Sequence, residues 1–319
     1  MVKRIGILAS GGDAPGMNCA MIGAIRAGYK LNKEMFVIKH GYYGLVHDEI
    51  EKVDKDFAKY SASLGGTVLK SARLPEFKNP EVQKQGIETL KKHGIDALIV
   101  IGGDGSYMGA KKLSEQGINC IGLPGTIDND ISSTDFTIGF DTALNTVVKA
   151  IDMINDTMSS HNRCGVVEIM GNKCGDLTLF AGIATHADFI ITNDKPVDLD
   201  DLIEQLKNLK RTNPDHVTIL VSEKLLDTKA LVEKIQKETG FDTRLDVLGY
   251  IQRGGRPSAM ERFNSTRMGA YAVKLLDEGV GGVCVGIVNN KLHYQDIYEA
   301  LATPRDKHED LYDDYELIK

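Results

Sequence analysis

"ALIVIGGDGSYMGAKKL", residues 97–113, begins as an apolar run and breaks on Gly102, Gly103, Asp104 and Gly105 before a helical pattern starts. A near-continuous apolar run of this length suits a strand buried on both faces, as in a parallel sheet covered by helices. The turn after it has two explanations. Asp104 or Ser106 caps the helix that follows. Alternatively, the glycines let phosphate oxygens reach the backbone, with Asp104 beside a metal ion. Read alone, the stretch leaves both open.

The same pattern recurs along the chain. Further apolar, β-branched runs lie at 4–10, 35–41, 120–125, 164–171, 188–192, 216–223, 244–251 and 282–288, separated by amphipathic helical patterns such as 143–158. This predicts an α/β chain with two doubly wound, mostly parallel sheets and helices on both faces. In such sheets ligands bind at the carboxyl ends of the strands. The polar, acidic end "PRDKHEDLYDDYELIK" reads as a surface tail or a short closing helix.

At 319 residues the chain holds about two domains at ~150 residues each. Apolar and charged contents of 42% and 26% are those of an ordinary soluble globular protein. No apolar run reaches the roughly 18 residues of a membrane helix, and "MVKRIGILAS" reads as a first strand rather than a signal peptide. The five scattered cysteines form no CxxC pair, so they predict reduced thiols in a cytoplasmic protein and no structural zinc. A net charge of −7 argues against nucleic acid as a partner.

Two more loops stand out. "SGGDAPGMN" (10–18) is neither a P-loop nor GxGxxG, yet Gly11, Gly12 and Gly16 free backbone N–H groups for phosphate oxygens. "PGTIDND" (124–130) precedes no immediate helix, so helix capping explains it poorly. Asp128 and Asp130 beside the Thr126 hydroxyl suit a proton acceptor near a metal ion. Arg73, Arg163, Arg244 and Arg253 are candidate phosphate forks, although each alone is better explained as a solvated surface arginine.

Taken together, "GGDAPGMN", "SARLPEF", "IGGDGSYMGA", "GLPGTIDNDI", "TIGFDTALNT", "MGNKCGDL" and "QRGGRP" resemble the bacterial 6-phosphofructokinase family over essentially the whole chain. The resemblance implies phosphorylation of the 1-hydroxyl of fructose 6-phosphate by ATP with Mg²⁺. It also implies a cytoplasmic homotetramer with the sugar site shared between subunits. Residues 1–138 plus 251–305 would form a nucleotide-binding domain, and 139–250 plus 306–319 a sugar-phosphate domain.

Carried over residue by residue, Gly12, Arg73, Leu74, Gly103, Asp104, Gly105 and Ser106 would hold the nucleotide, Asp104 serving the magnesium ion. Asp128 would be the general base, with Thr126, Arg73 and Gly12 around the transferring phosphoryl group. Ile127, Met170, Gly171, Asn172, Glu223, Tyr250, Ile251 and Gln252 would line the sugar site. Arg163, Arg244 and Arg253 would grip its 6-phosphate, the first two resembling residues donated by a neighbouring subunit. Gly105 and Gly125, where pyrophosphate-using relatives carry aspartate and lysine, would leave room for ATP.

The chain departs from the family in places. Asn172 replaces an arginine and Tyr250 a histidine, and losing one such cation would weaken phosphate binding by about 1.5–3 kcal/mol. The effector site for ADP or phosphoenolpyruvate keeps Arg26, Lys55 and His216. Ile22, Asn155, Thr212 and Pro214 stand at other basic positions, implying weak effector control. Alternative readings are a sugar-phosphate kinase with a shifted acceptor or a pyrophosphate donor, and a non-catalytic regulatory paralogue.

Overall fold

The computed structural model describes residues 2–319. Its chain divides into two compact units. The first runs up to Ile127 and adds Ile131–Thr142 and Arg253–Arg305; the second comprises Asp128–Asp130, Ala143–Gln252 and Asp306–Lys319.

In chain order, β1 (Arg4–Ala9), β2 (Glu34–Ile38), β3 (Ile50–Val53), β4 (Ala97–Gly102), β5 (Asn119–Thr126) and β6 (Ile138–Gly139) belong to the first unit. Then β7 (Cys164–Ile169), β8 (Phe189–Ile191), β9 (Val217–Ser222) and β10 (Thr243–Val247) build the second, before β11 (Val283–Val288) and β12 (Lys291–Asp296) return to the first. The first sheet is ordered β12-β11-β5-β4-β1-β2-β3, with β6 paired to β5; the second is β10-β7-β9-β8 and wholly parallel. The helices are α1 (Met17–Lys30), α2 (Gly41–Val46), α3 (Pro80–His93), α4 (Asp104–Glu115), α5 (Phe140–Ser159) and α6 (Asp176–Ala184). They continue with α7 (Leu199–Arg211), α8 (Thr228–Thr239), α9 (Ala259–Asp277), α10 (Ile297–Ala302) and α11 (Glu309–Ile318).

Every residue of β4 and of β9 is buried, which requires cover on both faces of each sheet and accounts for their unbroken apolar sequences. Leu98, Val100, Tyr107 and Leu113 anchor one core; Val166, Ile219, Val221 and Leu202 anchor the other. Helix starts follow local chemistry. Asn79, Asp198, Asp227, Ser258 and Asp296 each accept a backbone N–H in the first turn of the helix they precede. α1 and α9 cross where a Cβ on Gly269 would stand 1.9 Å from the Ala20 carbonyl oxygen, so this helix pair needs glycine there.

Three strands lie outside the apolar runs. β3 and β12 pair antiparallel with β2 and β11, and β6 is two residues long. β12, "KLHYQD", has no buried residue; its polar sequence suits an edge strand that should not pair further. The acidic chain end is a helix rather than a tail: Tyr312 and Tyr315 of α11 are buried, and the Tyr315 hydroxyl donates to the Ala187 carbonyl at 2.9 Å. No helix of the described residues is long and apolar enough to cross a membrane.

Candidate functional site

In the first unit, three loops gather at the carboxyl edge of β1, β4 and β5, which are neighbours in the sheet. Ser10 N donates to Ile101 O at 3.0 Å, and Ser106 Oγ donates to Ser10 O at 3.1 Å. A Cβ on Gly103 would lie 3.9 Å from Thr126 Cβ. Ser10, Gly103, Ser106 and Thr126 are therefore brought together.

The capping explanation for this turn fails. The residue at the cap of α4 is Gly103, without a side-chain cap, and Asp104 is the first helical residue, exposed at the edge. Ser106 is buried and spent on the β1 loop. In that loop Gly11 and Gly16 have φ of 85° and 104°, backbone that glycine adopts without strain. Gly12 is exposed, and a Cβ there would come within 2.5 Å of an Arg253 nitrogen. Arg73 is exposed, whereas Leu74 beside it packs against the first unit's core.

Gly105 and Gly125 differ. A Cβ on Gly105 would meet nothing within 4 Å, so the fold itself does not demand glycine there. A Cβ on Gly125 would stand 2.7 Å from Met17 Cε and 3.1 Å from Gly102 N. The expectation that Gly125 leaves open room is thus corrected: protein atoms already fill its space. The Ile127 side chain is buried in the core, so a sugar contact at this position would come from its main chain.

In the second unit, the carboxyl ends of β7, β9 and β10 surround a cavity of about 240 Å³, lined by Glu168, Met170, Glu223, Val247, Gly249 and Tyr250. Backbone N–H groups of Gly171 and Asn172 donate to Glu223 Oε1 at 3.4 and 2.9 Å, fixing that carboxylate at the rim. Lys224 Nζ lies 3.2 Å from Asn172 Oδ1 and 3.6 Å from Glu223, so a cation stands beside position 172 after all. Gln252 is fully buried; its Oε1 accepts from Met170 N at 2.9 Å, and its Nε2 has no hydrogen-bond partner. Tyr250 and Ile251 are exposed.

The arginines break the carboxyl-edge expectation. Arg163 precedes β7, and Arg244 is in register with Gly165 at the amino end of β10. Both converge on Asp242, Arg163 Nε at 2.6 Å and Arg244 at 2.7 Å, and the Arg163 bond above all holds the Asp242 carboxyl below its ordinary range. At ~3.3 Å per residue, the seven residues from Arg163 to Met170 span roughly 23 Å. Arg253 belongs to the first unit and bonds Asp13 at 2.8 Å.

The other residues fall into place as follows. Asp128 stands on the 128–130 turn, whose Asn129 is buried with φ of 55°. Of the effector residues, Arg26 and Lys55 both favour the ionised Asp56, Lys55 more strongly. His216 lies in the other unit, its Nδ1 buried without a partner, so no single unit gathers the three.

Residues 4–276 match the phosphofructokinase family. The chain belongs to that family. Among its relatives is an ATP-dependent 6-phosphofructokinase of Vibrio campbellii, 53% identical over 98% of both chains. Another, of Bacillus cytotoxicus, is 52% identical over 100% of this chain and 99% of its own. The structure of phosphofructokinase from Saccharomyces cerevisiae superposes with a TM-score of 0.90 at 32% identity; it covers 98% of this chain, which spans 50% of the yeast chain.

For a phosphofructokinase-family chain, four residues of these sites escape a motif reading. Glu168 left a signal, a lone charge inside the apolar run "CGVVEI", and its carboxylate accepts the Thr228 hydroxyl at 2.6 Å. Asp13 sits within "GGDAPG" but only the fold shows its Arg253 partner. Asp242 and Val247 left none, since their neighbours come from distant parts of the chain.

Proposed function

We propose that the chain transfers the γ-phosphoryl group of ATP to the 1-hydroxyl of fructose 6-phosphate, giving fructose 1,6-bisphosphate and ADP. The observation that carries this reading is the carboxyl edge of β1, β4 and β5. There Gly12 and Gly103–Ser106 offer backbone at a helix start, with open space over Gly105. Near-full-length relatives named for the same activity support it.

The first unit takes the nucleotide and the second the sugar phosphate. Asp104 suits a magnesium ion that arrives with the nucleotide. Among the described residues no three ligating side chains cluster, and magnesium is commonly held by one or two carboxylates plus substrate phosphates. Such an ion would neutralise charge on the phosphates. Arg73 and the Gly12 backbone stabilise the equatorial oxygens of the transferring group, and the Thr126 hydroxyl hydrogen-bonds beside them. Asp128 accepts the proton of the sugar 1-hydroxyl. Met170, Gly171, Asn172 and Glu223 hold the sugar ring at the cavity of the second unit.

Arg163 and Arg244 stand towards the amino edge of their sheet on Asp242, whereas the cavity lies at its carboxyl edge. We assign them to the 6-phosphate of a sugar bound by another copy of the chain, in a homotetramer. Arg253 serves the loop that carries Gly12 through Asp13.

ADP release from purified protein with Mg-ATP and fructose 6-phosphate, beside Asp128→Asn, tests the reading. Turnover in the wild type and a loss of about 10²–10⁴ in the variant are expected for a general base. Turnover with pyrophosphate alone, or none with either donor, would overturn it.

A further inference from the structure

The "CGDL" motif has no task in the proposal above, yet Asp176 is one of the most buried carboxylates of the second unit, 2% exposed at the first turn of α6. Its Oδ2 accepts from Asn129 Nδ2 at 2.8 Å and lies 3.2 Å from His308 Nε2. The thiol of Cys174 adds a contact of 3.7 Å to the Asn129 carbonyl oxygen. Asn129 therefore has both its amide and its carbonyl tied to residues 174–176 while holding a left-handed backbone, which asparagine tolerates better than most residues.

Asn129 is flanked in sequence by Asp128 and Asp130. The carbonyl belongs to the 129–130 peptide, so these bonds pin both the side chain and the main chain of the residue directly after Asp128. We propose that Asp176 is a positioning residue for Asp128, acting through Asn129. His308 braces Asp176 from the other side. Its ring meets Phe180 edge-on at 5.6 Å, and it directly precedes α11, whose Tyr312 hydroxyl bonds Thr192. A buried carboxylate held by two donors is stiff and costly to leave unpaired, which suits a part that must not move. The inference rests on the reading of Asp128 as general base.

The test compares kcat and both KM values for wild type, Asp176→Ala, Asn129→Gly, Asp128→Asn and the double variant Asp128→Asn/Asp176→Ala, each checked for folding by circular dichroism. A misplacement of about 1 Å can cost ~10²-fold, so kcat of Asp176→Ala should fall ~10–100-fold with KM for ATP within about twofold. Asn129→Gly keeps the backbone conformation but removes the amide, and should fall similarly; it decides alone if Asp176→Ala does not fold. The double variant should be no slower than Asp128→Asn. If Asp128→Asn is inactive while the other two single variants turn over normally, the positioning role is wrong and the base stands. A double variant slowed by the full Asp176→Ala factor would also overturn it. Wild-type turnover in Asp128→Asn would remove the base reading and this inference with it.

Discussion

The two sheets carry their candidate ligand groups in different ways. In the first, Gly12, Asp104 and Thr126 all follow or end strands, on β1, β4 and β5, so one edge of one sheet collects them. In the second, Met170, Glu223 and Tyr250 follow β7, β9 and β10, while Arg163 and Arg244 stand at the opposite edge on Asp242. A parallel sheet has two chemically distinct edges, and only its carboxyl edge is the usual place for ligands. If both edges serve one sugar, as proposed, two copies of the chain share the site.

The largest effect should come from the first edge. Gly105→Asp adds a carboxylate in open space, so the melting temperature should hold. Like charges brought together cost several kcal/mol, so kcat/KM for ATP should drop by about 10²-fold or more. Gly125→Ala reverses this pattern, since overpacking costs ~1–3 kcal/mol of stability. Thermal melts beside ATP kinetics separate the two. An unchanged kcat/KM for ATP in Gly105→Asp would detach that loop from the nucleotide.

The second sheet gives the next effect. Removing Arg163 or Arg244 should raise KM for fructose 6-phosphate by roughly 10–100-fold, the worth of a charged hydrogen bond. Their pairs with Asp242 are partly exposed, so stability should change by about 1 kcal/mol or less. Steady-state kinetics at saturating ATP with a denaturant titration would check both halves.

Beneath the first edge lies Glu261, buried beside Gly16, with Ser265 Oγ donating to it at 3.1 Å. Burial raises its carboxyl from an ordinary 4.5 to about 7, against hydrogen bonds from Gly139, Ser265 and Thr142 that lower it. The folded value exceeds the unfolded one, so the native state holds the extra proton. Its stabilising contribution is complete below about 4.5 and is lost as pH rises towards 7. Glu261→Gln should flatten this fall; melting temperatures of both proteins from pH 4.5 to 8 would show parallel curves if it does not. The smallest effect is at Lys224, whose exposed side chain stands by Asn172. Lys224→Ala should raise KM for fructose 6-phosphate only a few-fold, since exposed charges are weakly coupled in water.

The same contrast explains what was legible in the sequence. Strands buried on both faces announce themselves as apolar runs, and glycines or carboxylates directly after them mark the first site without any tertiary knowledge. β3 and β12 were hidden because an exposed antiparallel edge needs no apolar face. The motifs around Leu74, Ile127 and Gly125 do not show that Leu74 and Ile127 pack against the core or that Met17 crowds Gly125, because those packing partners come from elsewhere in the chain. Arg163 and Arg244 carry no local sign of which strand edge they occupy, and Asp242 becomes meaningful only when β10 pairs with β7.

Mixing two inactive variants tests the divided second sheet most directly. One preparation carries Asp128→Asn, the other Arg163→Ala/Arg244→Ala, and they are co-assembled from dissociated chains. If the arginines serve a sugar held by a different copy, mixed assemblies contain some sites with a wild-type Asp128 and wild-type arginines, and turnover should reappear well above either parent. If activity stays at the parents' level while wild-type chains treated identically recover, the arginines and the cavity of one chain act on the same sugar, contradicting the account.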